Sequence, residues 1–330
     1  MIHFNEIAAR YGIGMLLSTP TPVLGGLLHT TYRLDAAEGS FAVKILNPAV
    51  MKRPEALGNM IRSEQIAAAF RGSLPAVSAL EVDGSPVQKI GGEAVMLYPW
   101  ISGRPVFPPK LSARHAAAVG DLLARMHGAG ETLFGTIDEK PEKEAPLDWE
   151  SLAEEAGSLS PDAPWLPALK AALPDLISRD ADARKAASVL EKTALSHRDL
   201  DPKNVLWEGA NPHVIDWESA GPVHPASELL ECLLSWSDDG EGGLSRASFD
   251  AFLSAYGAKR DLREASWDAV FRAAPLGMLD WLAYNVKRAS GIETADEHDR
   301  LAGASEVPGT LRLLALNEKN LGLIREWLGV

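Results

Sequence analysis

The stretch Ala194 to Glu218, A-L-S-H-R-D-L-D-P-K-N-V-L-W-E-G-A-N-P-H-V-I-D-W-E, constrains this chain more than any other. A short apolar lead-in is followed by the polar segment His197 to Asn204 and then by an apolar run, Val205 to Trp207. Gly209, Asn211 and Pro212 signal a turn, and Val214 and Ile215 lead into Asp216. The pattern predicts loop, strand, turn, strand, with polar groups at the strand ends. Folded that way, Asp199, Asn204 and Asp216 meet at one end of a small hairpin. Two carboxylates and an amide there make a hard oxygen site suited to magnesium, which takes few protein ligands and keeps places for phosphate and water.

His-x-Asp alone carries little weight in a chain with 8 His and 45 acidic residues. Its weight comes from Asn204, the strand residues that follow and Asp216. H-R-D-L-x-x-x-N, complete from His197 to Asn204, is the catalytic-loop pattern of protein kinases, in which the Asp accepts the proton of the attacking hydroxyl and the Asn holds a metal ion. D-W-E stands where those enzymes have D-F-G. With these motifs the chain resembles the aminoglycoside phosphotransferase family, kinase-like enzymes that phosphorylate small molecules, from Gly25 to about Glu231. The resemblance implies a bilobal α+β fold. Residues 1–101 would form a nucleotide-binding lobe of antiparallel strands and one helix. Residues 102–330 would form a larger, mainly helical lobe with the catalytic loop, metal site and substrate pocket.

Residues Leu16 to Leu46 predict three strands and two turns. Gly25 and Gly26, in the first turn, would let the backbone approach a phosphate, although plain hairpin turns use paired glycines as often. Lys44 lies on the apolar strand F-A-V-K-I-L, where it either snorkels to solvent or meets an anionic partner in a cleft. Pro54 to Phe70 predicts a helix with Leu57, Ile61, Glu64 and Ala68 on one face. Glu64, a carboxylate in an apolar stripe, is the expected partner of Lys44. Glu55 is the other candidate, and a solvated helix face the plain alternative. A-V-M-L-Y-P-W-I predicts a central strand, and the resemblance makes its end a hinge where backbone groups of Met96, Leu97 and Tyr98 would read a nucleobase.

Ser112 to His127 predicts a helix capped by Ser112 and ended by Gly128; further helices are expected near 148–156, 164–190 and 276–286. Cys232, the single cysteine, sits among leucines and reads as a buried apolar group. The N-terminal residues lack a secretory pattern and no stretch approaches a membrane span, so a cytoplasmic location is expected. A net charge of −13 excludes nucleic acid and anionic membrane as main partners. It suits a cationic substrate, for which Asp201, Glu231 and Asp280 are the candidate acids. Glu228, where the family usually has Asp, is expected to brace the catalytic loop. Arg198 stands where the family usually has Gly, beside the base, and could contact substrate or an acid.

The resemblance implies ATP-dependent phosphoryl transfer, with GTP also admitted. Lys44 would hold the α and β phosphates, Glu64 would orient Lys44, Asn204 and Asp216 would bind magnesium, and Asp199 would align and deprotonate a small-molecule hydroxyl. An aminoglycoside or related cationic antibiotic leads as acceptor, and homoserine, choline, methylthioribose and fructosamine are the metabolic alternatives. A pseudokinase interaction module would lack a metal ligand or the base, and none is lacking. A protein kinase would carry A-P-E after D-W-E, and this chain does not. Either a monomer or a homodimer is compatible with these features.

Overall fold

A computed structural model describes residues 2–23, 29–134, 143–261, 265–292, 294 and 296–330; Gly25 and Gly26 lie outside the described residues. The chain runs α1 (Phe4–Tyr11), β1 (Thr21–Val23), β2 (Thr30–Ala36), β3 (Gly39–Ile45), α2 (Pro48–Met51), α3 (Ala56–Phe70), β4 (Gln88–Ile90) and β5 (Glu93–Pro99). There follow α4 (Ala113–Phe134), α5 (Trp149–Leu159), α6 (Leu166–Ala187), β6 (Ala194–Ser196), β7 (Val205–Glu208), β8 (Asn211–Val214) and β9 (Gly221–Val223). The remainder is helical: α7 (Pro225–Ser237), α8 (Arg246–Gly257), α9 (Trp267–Ala273), α10 (Leu276–Ser290) and α11 (Glu297–Leu328).

The first five strands form an antiparallel sheet in the order β1-β2-β3-β5-β4. Period-two alternation divides its side chains. Leu34, Ala36, Val43 and Ile45 pack with Ile7 and Ala8 of α1. Met96 packs with Leu46, Ala79 and Met60 of α3. Lys44 lies directly across from Met96, and cross-strand partners share a face, so Lys44 emerges on the α3 side.

The sequence-predicted hairpin is β7 and β8, with Val205 opposite Val214 and Trp207 opposite Pro212, closed by Gly209 at φ +63°. Backbone bonds from Val77 N to Val214 O (2.9 Å) and Val214 N to Pro75 O (2.8 Å) fix one of its edges. On the other edge Arg104 N donates to Trp207 O and Trp207 N to Arg104 O. A Cβ at Gly103 would lie 2.9 Å from the Trp207 backbone, so only glycine admits this approach.

The contacts divide the chain into two compact units, Met1–Lys110 with Arg125–Gly135 and Leu195–Gly221, and Leu111–Ala124 with Thr136–Ala194 and Pro222–Val330. The first unit takes in the catalytic-loop segment as well as the sheet, whereas residues 102–330 were expected to stand together. The backbone bonds to Pro75, Val77 and Arg104 are the physical reason. The second unit is helical, with Trp149, Trp165, Leu169, Leu282, Val286 and Val307 in its core. Cys232 is buried there, as its neighbours predict. The helix expected to stop at Gly128 continues to Phe134: Gly128 keeps helical φ, and one glycine inside a helix costs only about 1 kcal/mol. Among the described residues, no helix is long and apolar enough to cross a membrane.

Candidate active site

The loop His197 to Asn204 is held largely by its own polar groups. The buried His197 accepts the Asp199 N–H at Nδ1 (3.3 Å) and therefore donates from Nε2 to Ile215 O, 2.9 Å away. Trp217 meets this ring edge-on at 4.8 Å and stacks on Phe70 of α3 at 5.6 Å, while its Nε1–H donates to Val214 O. The middle residue of D-W-E is thus a packing element that joins loop, hairpin and α3.

Asp201 Oδ1 accepts the Lys203 N–H at 2.8 Å and caps a single 3₁₀ turn, Pro202–Asn204, in which Pro202 takes the position that needs no N–H. The turn delivers two donors to Asp199. Asn204 Nδ2 donates to Asp199 Oδ2 (2.9 Å) and to Asp199 O (2.8 Å), and Lys203 Nζ donates to Asp199 Oδ1 (3.0 Å) and Asp201 Oδ2 (2.8 Å). Burial pushes the Asp199 carboxyl above its ordinary range, and the Lys203 ammonium pulls against that without reversing it.

Ile215 N donates to Asn204 O at 2.9 Å, which sets Asp216 beside Asn204 at the end of the hairpin. Asp216 takes left-handed backbone, φ +60° and ψ +61°. Its Oδ1 accepts from Lys44 Nζ at 2.6 Å, and Glu218 Oε2 accepts from the same ammonium at 3.2 Å. Burial acts against charge on both Lys44 and Asp216. Mutual attraction wins, holding the Lys44 ammonium above and the Asp216 carboxyl below its ordinary value.

The expected partnership of Lys44 with Glu64 is not the one observed. Glu64 is buried on α3, where Oε2 accepts the Ala79 N–H (2.6 Å) and Oε1 the Tyr98 hydroxyl (2.7 Å). Both its oxygens are satisfied, burial raises its carboxyl above the usual range, and two carboxylates on the D-W-E turn outcompete it for Lys44. Glu55, the other candidate, flanks the N-terminus of α3.

The hinge expectation also changes. Leu46 N bonds to Ala94 O and Trp100 N to Ser40 O, so by alternation Met96 and Tyr98 face Lys44 and Ala42 as hydrogen-bonded pairs. Leu97 O accepts from Leu80 N at 2.7 Å. β5 is an interior strand, and its ladder already engages this backbone.

Arg198 is exposed, with left-handed backbone at φ +64° and its guanidinium along Gly221. At that φ glycine, which the family resemblance leads one to expect here, would carry no strain. Of the acids nominated for a cation, Asp201 is paired with Lys203 and Asp280 with Arg184. Glu231 is exposed on α7, and Glu228 is buried in the first turn of the same helix. Sequence reasoning did not single out Lys203, Glu218 or Trp217. Lys203 stands four residues after Asp199, and the second acid of D-W-E was a readable sign of a second partner for Lys44.

Among the described residues no group of three or more His, Cys, Asp or Glu is arranged to hold a metal ion. The donor set here is of another kind. Asn204 spends its Nδ2 on Asp199, which leaves Oδ1 to a cation, and with the Asp216 and Glu218 carboxylates this supplies the hard oxygen atoms that magnesium takes. The residues fit such an ion.

Comparison with known proteins adds three findings. The family model described as "Phosphotransferase enzyme family" matches residues 19–265. A homoserine kinase of Bradyrhizobium sp. (strain ORS 278) is 28% identical over 304 residues, 88% of each chain. Among solved structures, spectinomycin phosphotransferase in complex with ADP and spectinomycin superposes with a TM-score of 0.64 at 14% identity, over 95% of this chain and 97% of that one. An amicoumacin kinase with AMP-PNP and Ca2+ gives 0.63 at 14%, over 96% and 93%. These structural likenesses establish a kinase-like fold with an antiparallel N-terminal sheet. The match over most of the chain, which takes in the loop and hairpin just described, places this protein in the phosphotransferase enzyme family.

Proposed function

We propose that the protein transfers the γ-phosphoryl group of ATP to the hydroxyl of a small molecule, and that the acceptor is a metabolite of the homoserine class. The observation that carries the transfer chemistry is the junction of Lys44 with Asp216, next to Asn204 and Asp199. In this reading Lys44 leaves its carboxylate partners for phosphate oxygens, and Asn204 Oδ1 and Asp216 hold magnesium. The metal supplies neutralisation of the phosphate charge. Asp199, fixed by Asn204 and Lys203, orients the acceptor hydroxyl and takes its proton as the oxygen–phosphorus bond forms. Phosphoryl transfer asks mainly for position and charge neutralisation, and a chain of net charge −13 concentrates cations at this one point.

Two observations favour a homoserine-type acceptor over an aminoglycoside. Matched relatives across most of the chain are homoserine kinases, whereas the antibiotic kinases share the fold at 14% identity. Two of the acids nominated for ammonium groups, Asp201 and Asp280, are engaged by Lys203 and Arg184. The test is magnesium-dependent ADP formation from ATP against homoserine, choline, methylthioribose, a fructosamine and an aminoglycoside panel. Turnover with homoserine is the expected result. Turnover confined to an aminoglycoside would overturn the acceptor assignment, and none with any hydroxyl compound would overturn the phosphotransfer reading.

A further inference from the structure

His29 immediately precedes β2, and its side chain is 4% exposed. Its Nδ1 accepts the backbone N–H of Asn47, just past β3, at 3.0 Å. A backbone N–H can only donate, so the ring proton is on Nε2. The bond spans the end of the β2–β3 hairpin, where Thr30 pairs with Ile45, and so fixes the ring on the sheet. Nε2 itself is buried and has no hydrogen-bond partner among the described residues. A carboxylate oxygen, Glu218 Oε2, lies 3.6 Å away, too far for a hydrogen bond. The same oxygen is 3.2 Å from Lys44 Nζ. Two donors of the sheet therefore converge on one point, now marked by a carboxylate oxygen that satisfies only one of them.

An unpartnered buried donor is a net cost to the fold and calls for an explanation. Because Nδ1 accepts the Asn47 N–H and so bears no proton, the ring is a neutral donor and adds no charge beside Lys44.

We propose that His29 binds the nucleotide, donating Nε2–H to the phosphate oxygen that draws Lys44 away from Glu218. This rests on the phosphotransfer reading and adds to it a second phosphate-binding side chain, fixed in advance by Asn47. An anionic oxygen at the convergence point satisfies both donors, with a charge-assisted bond at Nε2.

The test measures binding of MgATP and of adenosine to the full chain by calorimetry, for the wild type, His29→Leu and His29→Gln. Leucine removes the donor, whereas glutamine returns an N–H at about the reach of Nε2. His29→Leu should weaken MgATP by about tenfold or more and leave adenosine unchanged, with His29→Gln regaining most of the loss. Equal MgATP affinity in all three proteins overturns the proposal, as does equal weakening toward adenosine. A readout independent of folding in the leucine variant is the imidazole N–H resonance of 15N-histidine-labelled wild type, identified by its absence in His29→Gln. It should move downfield with MgATP and not with adenosine; an unmoved resonance overturns the assignment. A wild type that binds no MgATP would instead remove the phosphotransfer reading itself.

Discussion

In the second unit Arg184 reaches Asp180, Glu144 and Asp280, while in the first Lys44 reaches Asp216 and Glu218. The arginine cluster is finished. Asp180 is fully buried, and its oxygens accept the Leu147 N–H at 2.7 Å and the Arg184 Nε–H at 3.1 Å, an i,i+4 partner on the same helix. Arg184 and Asp180 both stand on helix α6. The lysine cluster is unfinished by the same standard. Asp216 and Glu218 are less exposed than Glu144 and Asp280, at 34% and 27% against 57% and 50%, yet His29 faces them with an unmatched donor. Among the described residues, the three non-glycine residues with positive φ, Asp83, Arg198 and Asp216, all lie in the first unit, two of them at the site. Completed charge networks hold a fold together, whereas incomplete and strained ones mark where something is to be bound.

The largest effect expected from this contrast is on chemistry. Replacing Asp199 by Ala should lower turnover by about 10²–10⁴-fold, the usual contribution of a positioned base, while MgATP affinity and the unfolding midpoint stay near wild type. Steady-state ADP release and a denaturant titration check both halves. A large loss of stability with normal turnover per folded molecule would erase the distinction between the two clusters.

Arg184→Ala should do the reverse. It strips the buried Asp180 of its cation, and breaking such a pair costs about 3–5 kcal/mol. The urea midpoint should fall, with turnover per folded molecule unchanged.

The second unit's use of buried polar groups for packing extends to Tyr256, which is fully buried and whose hydroxyl burial pushes from 10.0 up to about 12. Between those values the unfolded chain releases the phenolic proton and the folded chain keeps it, so stability falls as pH rises. The loss begins near pH 10 and should reach about 2–3 kcal/mol by pH 12 from this residue. In Tyr256→Phe that increment of alkaline destabilisation should be absent, as read by urea unfolding at pH 9 and pH 11.

Much of the site was legible because its signals are local. The spacing from His197 to Asp216 predicts the hairpin, the apolar neighbours of Lys44 predict a strand, and the periodicity around Glu64 predicts α3. What sequence could not rank was competition between partners. Lys44 had acids on both α3 and D-W-E within reach, and the choice turned on Ala79 and Tyr98 having already satisfied Glu64, a tertiary fact. His29 went unnoticed for a related reason: H-T-T-Y reads as the start of a strand, and only the Asn47 N–H reveals which ring nitrogen bears the proton. The overrun of α4 past Gly128 shows that a glycine marks a helix end only when its φ turns positive.

The smallest predicted effect concerns strain. Arg198 holds φ +64°, a conformation that costs an L-residue about 1–2 kcal/mol and glycine almost nothing. Glycine also enlarges the unfolded ensemble, which returns about 0.5–1 kcal/mol of that gain. Arg198→Gly should therefore stabilise the protein by at most about 1 kcal/mol in denaturant unfolding. Because the arginine lies along Gly221 and is exposed, the gain should come with only a modest change in turnover. A loss of stability would mean that contacts of the guanidinium outweigh the strain. A collapse of turnover at unchanged stability would place Arg198 on the substrate and the strain in the service of catalysis. A structural site such as Arg184, on regular helix, offers no substitution of this kind, since it holds no conformational strain for glycine to release.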